Sequence, residues 1–244
     1  MNKKLINKLL LSSVLILSLV VATTALADYK PPANPSRPRG STGSNGTRTN
    51  GCFGTAQTTL TALAPTSHSG QTSSSEPVFA WFVPDSEQRE MELSLYEYVA
   101  NGKGKRLQRV QLQSKLGIMS TSFAKEKLSL SVGQKYLWQI ALLCNPNRPS
   151  QDLVAEAEIQ VVAMPSQLMN ALSRTTEPLK RAELYAEAGF WYDALGEALK
   201  EPQNKAYILK LLEELRKLEA ANTNNTAAQQ QALQLQQILI FQQK

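Results

Sequence analysis

One histidine, His68, and two cysteines, Cys52 and Cys144, occur in 244 residues. Nucleophilic catalysis by serine or cysteine needs an imidazole within hydrogen-bond reach, so His68 alone would have to serve. It lies in Thr66-Ser67-His68-Ser69-Gly70-Gln71, which reads as an exposed polar loop. A zinc site needs clustered Cys and His, and a glycine-rich phosphate loop is absent. No catalytic, cofactor-binding or metal-binding residue is therefore assigned, and no cofactor is expected. Glycan hydrolysis uses two acids that only the fold brings together, which leaves Asp85, Glu87, Asp152, Glu156 and Glu158 as candidates. None has a distinguishing neighbourhood, and the expectation is a protein that is not an enzyme. A long hydrophobic run is also missing: the best, Leu9 to Val21, has thirteen residues, against the roughly twenty that a spanning helix needs.

That short run has a different meaning at its position. Lys3, Lys4 and Lys8 precede it and Ala25-Leu26-Ala27 follows it, the order of a secretory signal peptide cut between Ala27 and Asp28. Asp28-Tyr29-Lys30-Pro31-Pro32 does not continue a helix, and no cysteine follows the cut to carry a lipid. The expectation is a periplasmic or secreted protein without a transmembrane segment after signal removal. The formal charge of +6 includes those three lysines, which leaves the remainder near +3 and argues against a nucleic-acid partner. Lys103, Lys105, Arg106 and Arg109 form a short basic cluster beside the Asn101-Gly102 turn, read as a solvated hairpin tip. In an oxidising compartment two cysteines tend to pair, so a Cys52–Cys144 disulfide is expected. Closing a loop of about ninety residues would contribute roughly 4 to 5 kcal/mol at most.

Past the signal (residues 1–27) the composition changes four times. Residues 28–51 hold Pro31, Pro32, Pro35, Pro38 and few apolar side chains, the make-up of a disordered linker. From 52 to 163 apolar residues recur with period two in short segments: Thr58 to Ala64, Val78 to Val83, Glu90 to Val99, Leu107 to Gln113, Gly117 to Phe123, Leu128 to Leu130, Tyr136 to Cys144 and Val154 to Val162. Some eight strands so spaced predict an antiparallel β-sandwich of immunoglobulin or fibronectin type. Residues 164–220 turn to helical periodicity, with Thr176-Glu177-Pro178 a helix start and Gly189 a stop. Ile208, Leu211, Leu212, Leu215 and Leu218 form one stripe. The class is α+β, a sandwich followed by a small helical domain. Residues 221–244 are a Gln/Asn-rich tail ending in Ile238-Leu239-Ile240-Phe241, a composition usual for disorder, although the apolar end could dock as a helix.

Ala182-Glu183-Leu184-Tyr185-Ala186-Glu187-Ala188-Gly189-Phe190-Trp191-Tyr192-Asp193-Ala194-Leu195 resembles one tetratricopeptide hairpin. Solenoids need about three repeats to bury their faces, so a peptide groove of that kind is not implied. Several segments together resemble the exported, mainly cyanobacterial domain of unknown function 928 family. They are Leu60-Thr61-Ala62-Leu63-Ala64-Pro65, Pro77 to Pro84, Gly133-Gln134-Lys135-Tyr136-Leu137-Trp138, Cys144 to Asp152, and Tyr185 to Leu195. Here Pro149 stands between Arg148 and Ser150, and Val154-Ala155-Glu156-Ala157 replaces the family's Val-x-Gly-Trp. The family has no assigned activity, so the resemblance implies a domain unit and no catalytic residues. The resulting expectation is an envelope interaction or scaffold module whose contacts come from Trp81, Tyr185, Trp191 and Tyr192, with an unidentified envelope or secreted protein as partner. An envelope glycan hydrolase and a carbohydrate-binding module, whose partner would be glycan, are the alternatives.

Overall fold

The computed structural model describes residues 28–33, 35, 36, 38, 43–45, 58–100, 102–126, 128–145, 147 and 149–243. The signal segment with Ala27, and Cys52, lie outside the described residues. The described chain is α+β, with two sheets and five α-helices. The strands are β1 (Gly43–Asn45), β2 (Thr61–Ala62), β3 (Gly70–Thr72), β4 (Phe79–Val83), β5 (Glu90–Val99), β6 (Gly102–Gln113), β7 (Gly117–Thr121), β8 (Lys135–Leu142) and β9 (Leu153–Val161). The helices are α1 (Ser166–Leu172), α2 (Pro178–Glu187), α3 (Trp191–Ala198), α4 (Lys205–Ala221) and α5 (Thr226–Gln242).

The larger sheet runs β1-β9-β8-β5-β6, with β3 joining β9 in parallel. Its buried face follows from the period-two pattern: Met91, Leu93 and Leu95 on β5, then Trp138, Ile140 and Leu142 on β8. β9 supplies small partners, Ala157 opposite Trp138 and Ala155 opposite Ile140, so bulky and small side chains interdigitate across the ladder. The smaller sheet runs β2-β4-β7. Phe79 of β4 meets Trp138 at 5.3 Å between ring centroids, so the two sheets share one core. Phe82, on the opposite side of β4, meets Phe241 of α5 at 5.4 Å. β4 is thus covered on both faces, which is why Phe79-Ala80-Trp81-Phe82-Val83 is an unbroken apolar run without alternation.

Four sequence expectations change in the structure. Leu128 to Leu130 is not a strand: Leu130 is buried, and its amide donates to the Ser75 carbonyl at 2.8 Å. β3 begins at Gly70, within the last two residues of the stretch read as an exposed loop. The linker contains β1, paired with β9, and a strap in which Tyr29 is buried and the Lys30 amide donates to the Ala186 carbonyl at 3.0 Å. Pro-rich composition does not forbid order where backbone groups find partners on a preformed surface.

The tail is the fourth. Asn225 caps α5, its side chain accepting from the Ala228 amide at 3.2 Å. Gln231 then donates through Nε2 to the carbonyls of Ala62, 2.8 Å, and Ala64, 3.3 Å, while Leu235 and Ile238 are fully buried. The glutamine that makes the tail look disordered is the donor that satisfies carbonyls at the end of β2. One hydrophobic cluster runs from Tyr29 through both sheets to Leu239, so packing does not stop at residue 164. Ile238→Ala is expected to lower unfolding stability by about 2 to 4 kcal/mol, and Leu233→Ala, on the exposed side of α5, by about 0.5 kcal/mol or less. Urea unfolding of the two variants checks this; equally small effects would show that α5 is not part of the core.

Candidate functional site

Three consecutive side chains in the first turn of α3 fix that helix to four strands or the residues just beyond them. Trp191 donates from Nε1 to the Leu63 carbonyl, just beyond β2, at 2.9 Å. The Tyr192 hydroxyl donates to the Glu158 carbonyl of β9 at 2.8 Å and accepts from Trp138 Nε1 of β8 at 2.8 Å. Asp193 accepts from the Ser73 amide, 2.9 Å, and hydroxyl, 3.2 Å, just beyond β3. Successive helical side chains diverge by about 100°, so one turn reaches all four strands. Tyr192 comes so close to β3 that a Cβ on Gly70 would lie 2.7 Å from its ring.

The four residues expected to form a contact surface are therefore core residues. Trp81 and Trp191 are 0% exposed, Tyr192 2% and Tyr185 6%. A stacking platform for sugars cannot be made of rings already packed on all sides. One signal in the sequence points this way: residues 190–198 are apolar except at Asp193, Gly196 and Glu197, a wide apolar face of the kind a helix buries.

Beside the α3 turn lies a cavity of about 180 Å3, lined in part by Thr72, Ser74, Glu76, Asp193, Glu197 and Lys200. Burial pushes the Asp193 carboxyl up to about 6, against the opposing pull of the Ser73 amide. Glu197 is held by Arg181 Nε at 2.9 Å and Lys200 Nζ at 2.6 Å.

A second polar constellation surrounds His68. The imidazole is buried, not exposed as its polar neighbours imply, because Tyr29 stacks against it at 6.1 Å between ring centroids and α4 closes beneath the loop. Tyr29 Oη lies 2.9 Å from His68 Nε2, and His68 Nδ1 lies 3.1 Å from Ser67 Oγ. Ser67 Oγ donates to Glu219 Oε1 at 3.0 Å. Each donor has an acceptor when the proton order is Tyr29 to Nε2, Nδ1–H to Ser67, and Ser67 to Glu219. In that order the basic nitrogen of His68 is used by Tyr29, and the Ser67 proton already points at a carboxylate. This is the reverse of the polarity that activates a serine. Glu219 also accepts from the Thr66 amide, 2.8 Å, the Thr66 hydroxyl, 2.7 Å, and the Ser67 amide, 3.1 Å. The cluster clips the 66–68 loop and the strap to the end of α4. Ser67 also lines a polar cavity of about 380 Å3 with Asn222, Asn224, Asn225 and Thr226.

The candidate acid pairs are dispersed. Asp85 and Glu87 share Arg89, Asp152 accepts from the Cys144 amide at 2.9 Å, and Glu156 pairs with Lys103 at 2.6 Å. Glu158 is fully buried and accepts from the Ser69 hydroxyl at 2.8 Å. None of the five lines either cavity. The basic cluster extends along β6, where Arg106 and Arg109 both bind Glu92. Cys144 sits half-buried just beyond β8; its expected partner Cys52 lies outside the described residues. Asp28, the residue after the expected cut, is described and lies on α4, where its carboxylate meets Lys210 at 2.8 Å.

A family model described as Domain of Unknown Function (DUF928) matches residues 43–231, in agreement with the resemblance read from the sequence. No curated protein matches the chain.

Burial holds His68 down at about 4, below its unfolded value of about 6.5. Between those values the unfolded chain binds the proton and the native one does not, so His68 removes stability as pH falls. Asp193, raised from about 3.8, has the opposite sign: the native state binds the proton, and stability falls as pH rises from about 4 to 6. Going from pH 7 to pH 4, the wild type should lose stability relative to His68→Gln, and gain relative to Asp193→Asn, each by on the order of 3 kcal/mol. Urea unfolding of the three proteins at pH 4, 5, 6 and 7 measures both slopes; parallel curves would refute the assignment.

Proposed function

We propose that this chain, which belongs to the family described as Domain of Unknown Function (DUF928), is an exported envelope protein that acts without catalysis as an interaction or scaffold module. In this reading its two sheets form an immunoglobulin- or fibronectin-like sandwich, and α2 with α3 a tetratricopeptide-like hairpin. Export rests on Lys3, Lys4, Lys8, the Leu9 to Val21 run and Ala25-Leu26-Ala27. Among the described residues no helix is long and apolar enough to cross a membrane. The wiring of the single histidine into Tyr29, Ser67 and Glu219 supports a role without catalysis.

The observation that carries the interaction role is the outer face of α5. Its 17 residues include no charged side chain, yet Leu233 is 63% and Ile240 51% exposed, with Gln236 and Gln237 exposed between them. Leu233 and Ile240 are seven residues apart, two turns on the same face. A helix already docked through Leu235 and Ile238 gains nothing from an uncharged second face unless that face is also covered. It suits a protein surface that is itself apolar and uncharged, where amides and aliphatic groups meet without desolvating an ion.

A photo-crosslinking residue at Gln237 in the exported protein is expected to give one discrete protein adduct. Leu233→Glu with Ile240→Glu should abolish it at unchanged circular dichroism, and a crosslinker at exposed Val132 should give none. An adduct indifferent to the two glutamates, or none at all, would overturn the reading. For the compartment, the expected Cys52–Cys144 bridge predicts no alkylatable thiol in the exported protein before reduction and two after it, read by mass; two thiols before reduction rule the bridge out.

A further inference from the structure

The strap that follows the expected cut site is docked on the helices at each of its first three residues. Asp28 binds Lys210 of α4 at 2.8 Å. The Tyr29 amide donates to Glu214 Oε2 of α4 at 2.6 Å, and the Lys30 amide donates to Ala186 at the end of α2. The Tyr29 ring meets Trp191 edge-on at 5.0 Å between ring centroids. Gly189 is shaped for this contact: it has φ +86°, and a Cβ there would lie 3.0 Å from the Lys30 carbonyl oxygen. The strap therefore has a built seat formed by α2, the Gly189 turn, α3 and α4.

The charges of that seat are incomplete. The carboxyls of Asp28 and Glu214 act on each other. Lys210 serves both, at 2.8 Å from Asp28 and 3.6 Å from Glu214. Lys217 acts on Asp28 from farther away, and the field of Glu183 and Glu187 also reaches this part of α4, at Tyr207. The Glu214 side chain is only 14% exposed, and burial holds its carboxyl above the ordinary range. Among the described residues, two carboxyls thus share one close cation at the point where the strap begins.

We propose that removal of the signal segment supplies the second cation: the α-ammonium created on Asp28 pairs with Glu214 and locks the strap into its seat, so that processing completes the fold. This rests on the export reading above. Hydrolysis breaks the Ala27–Asp28 C–N bond. Water gives its hydroxyl to the Ala27 carbonyl carbon and a proton to the Asp28 nitrogen, which takes up a second proton from solvent below its ordinary value of about 7.7 to 8.0. Before the cut that nitrogen is a neutral amide; afterwards it is a cation one residue, about 3.5 Å of chain, upstream of the amide already bound to Glu214. Tyr29, seated by the same strap, then holds His68, so the lock reaches the 66–68 loop.

The test compares a chain released from a removable leader so that it begins at Asp28 with the same chain carrying a Gly-Ser extension, each with Glu214 and with Glu214→Gln, by urea unfolding at pH 6.5. The extension should shift the unfolding equilibrium about fivefold toward the unfolded state when Glu214 is present, and leave the Glu214→Gln chain unmoved. An equal shift in both backgrounds, or none in either, overturns the pairing. Titration of the Asp28 α-amino group by NMR is independent of any variant's folding: it should ionise above 8, and an unshifted value overturns the proposal. N-terminal sequencing of the exported protein separately tests the cut; a start other than Asp28 overturns the processing step, whatever the in vitro pairing shows.

Discussion

Tyr192 carries the constraint on which the rest of the molecule depends. Its hydroxyl is buried between an indole donor on β8 and a carbonyl acceptor on β9, where water cannot substitute for either partner. Leaving such groups unpaired costs about 1 to 3 kcal/mol each, so the first turn of α3 must sit at one depth and one rotation. Trp191 and Asp193 then have no freedom of their own. One is aimed at Leu63 beyond β2 and the other at Ser73 beyond β3. The larger sheet, the end of the smaller one and the helices are registered to each other by a single helical turn.

This registration explains the unusual density of polar groups at the seam. A helix packed on a sheet by apolar contacts alone can slide; one fixed by directional bonds cannot. The cost is that several ionisable groups are removed from water. Asp193 and His68 are both displaced by burial, in opposite directions along the pH scale, and within the acid range their effects on stability oppose each other. Glu219, also raised by burial, keeps four donors around its carboxylate.

How much of this was legible in the sequence depends on the range of the interaction. β5, β8 and β9 announce themselves because their alternating residues are local. α4 does so through its leucine stripe. β3 does not, because its pairing is a parallel contact with β9 nearly ninety residues away, and Gly70-Gln71-Thr72 has no pattern of its own. His68 sits in a run of serine and threonine that resembles any loop. Tyr29, 39 residues before, covers it, and Glu219, 151 residues after, clips its loop through Thr66 and Ser67. The aromatic candidates were misplaced for a related reason: Trp191 and Tyr192 stand out as side chains that could bind something, and what they bind is the protein's own sheets. The family resemblance was legible because it depends on residue order alone.

The Gln-rich end of the chain shows that composition and role are separable. Glutamine is a poor core residue by hydropathy, yet Gln231 is buried, where it donates to one carbonyl at the end of the short β2 and one just beyond it. A helix of neutral amides and aliphatic groups can satisfy such carbonyls without bringing an ion into the core, which a lysine or glutamate at the same position could not do cheaply. The same neutrality leaves α5 with an outer face that carries no charge to keep it in water. The inner face is thereby explained by the protein's own architecture, and the outer one by what the architecture leaves uncovered. The chemistry that makes α5 part of the core also leaves Leu233 and Ile240 exposed on its other side.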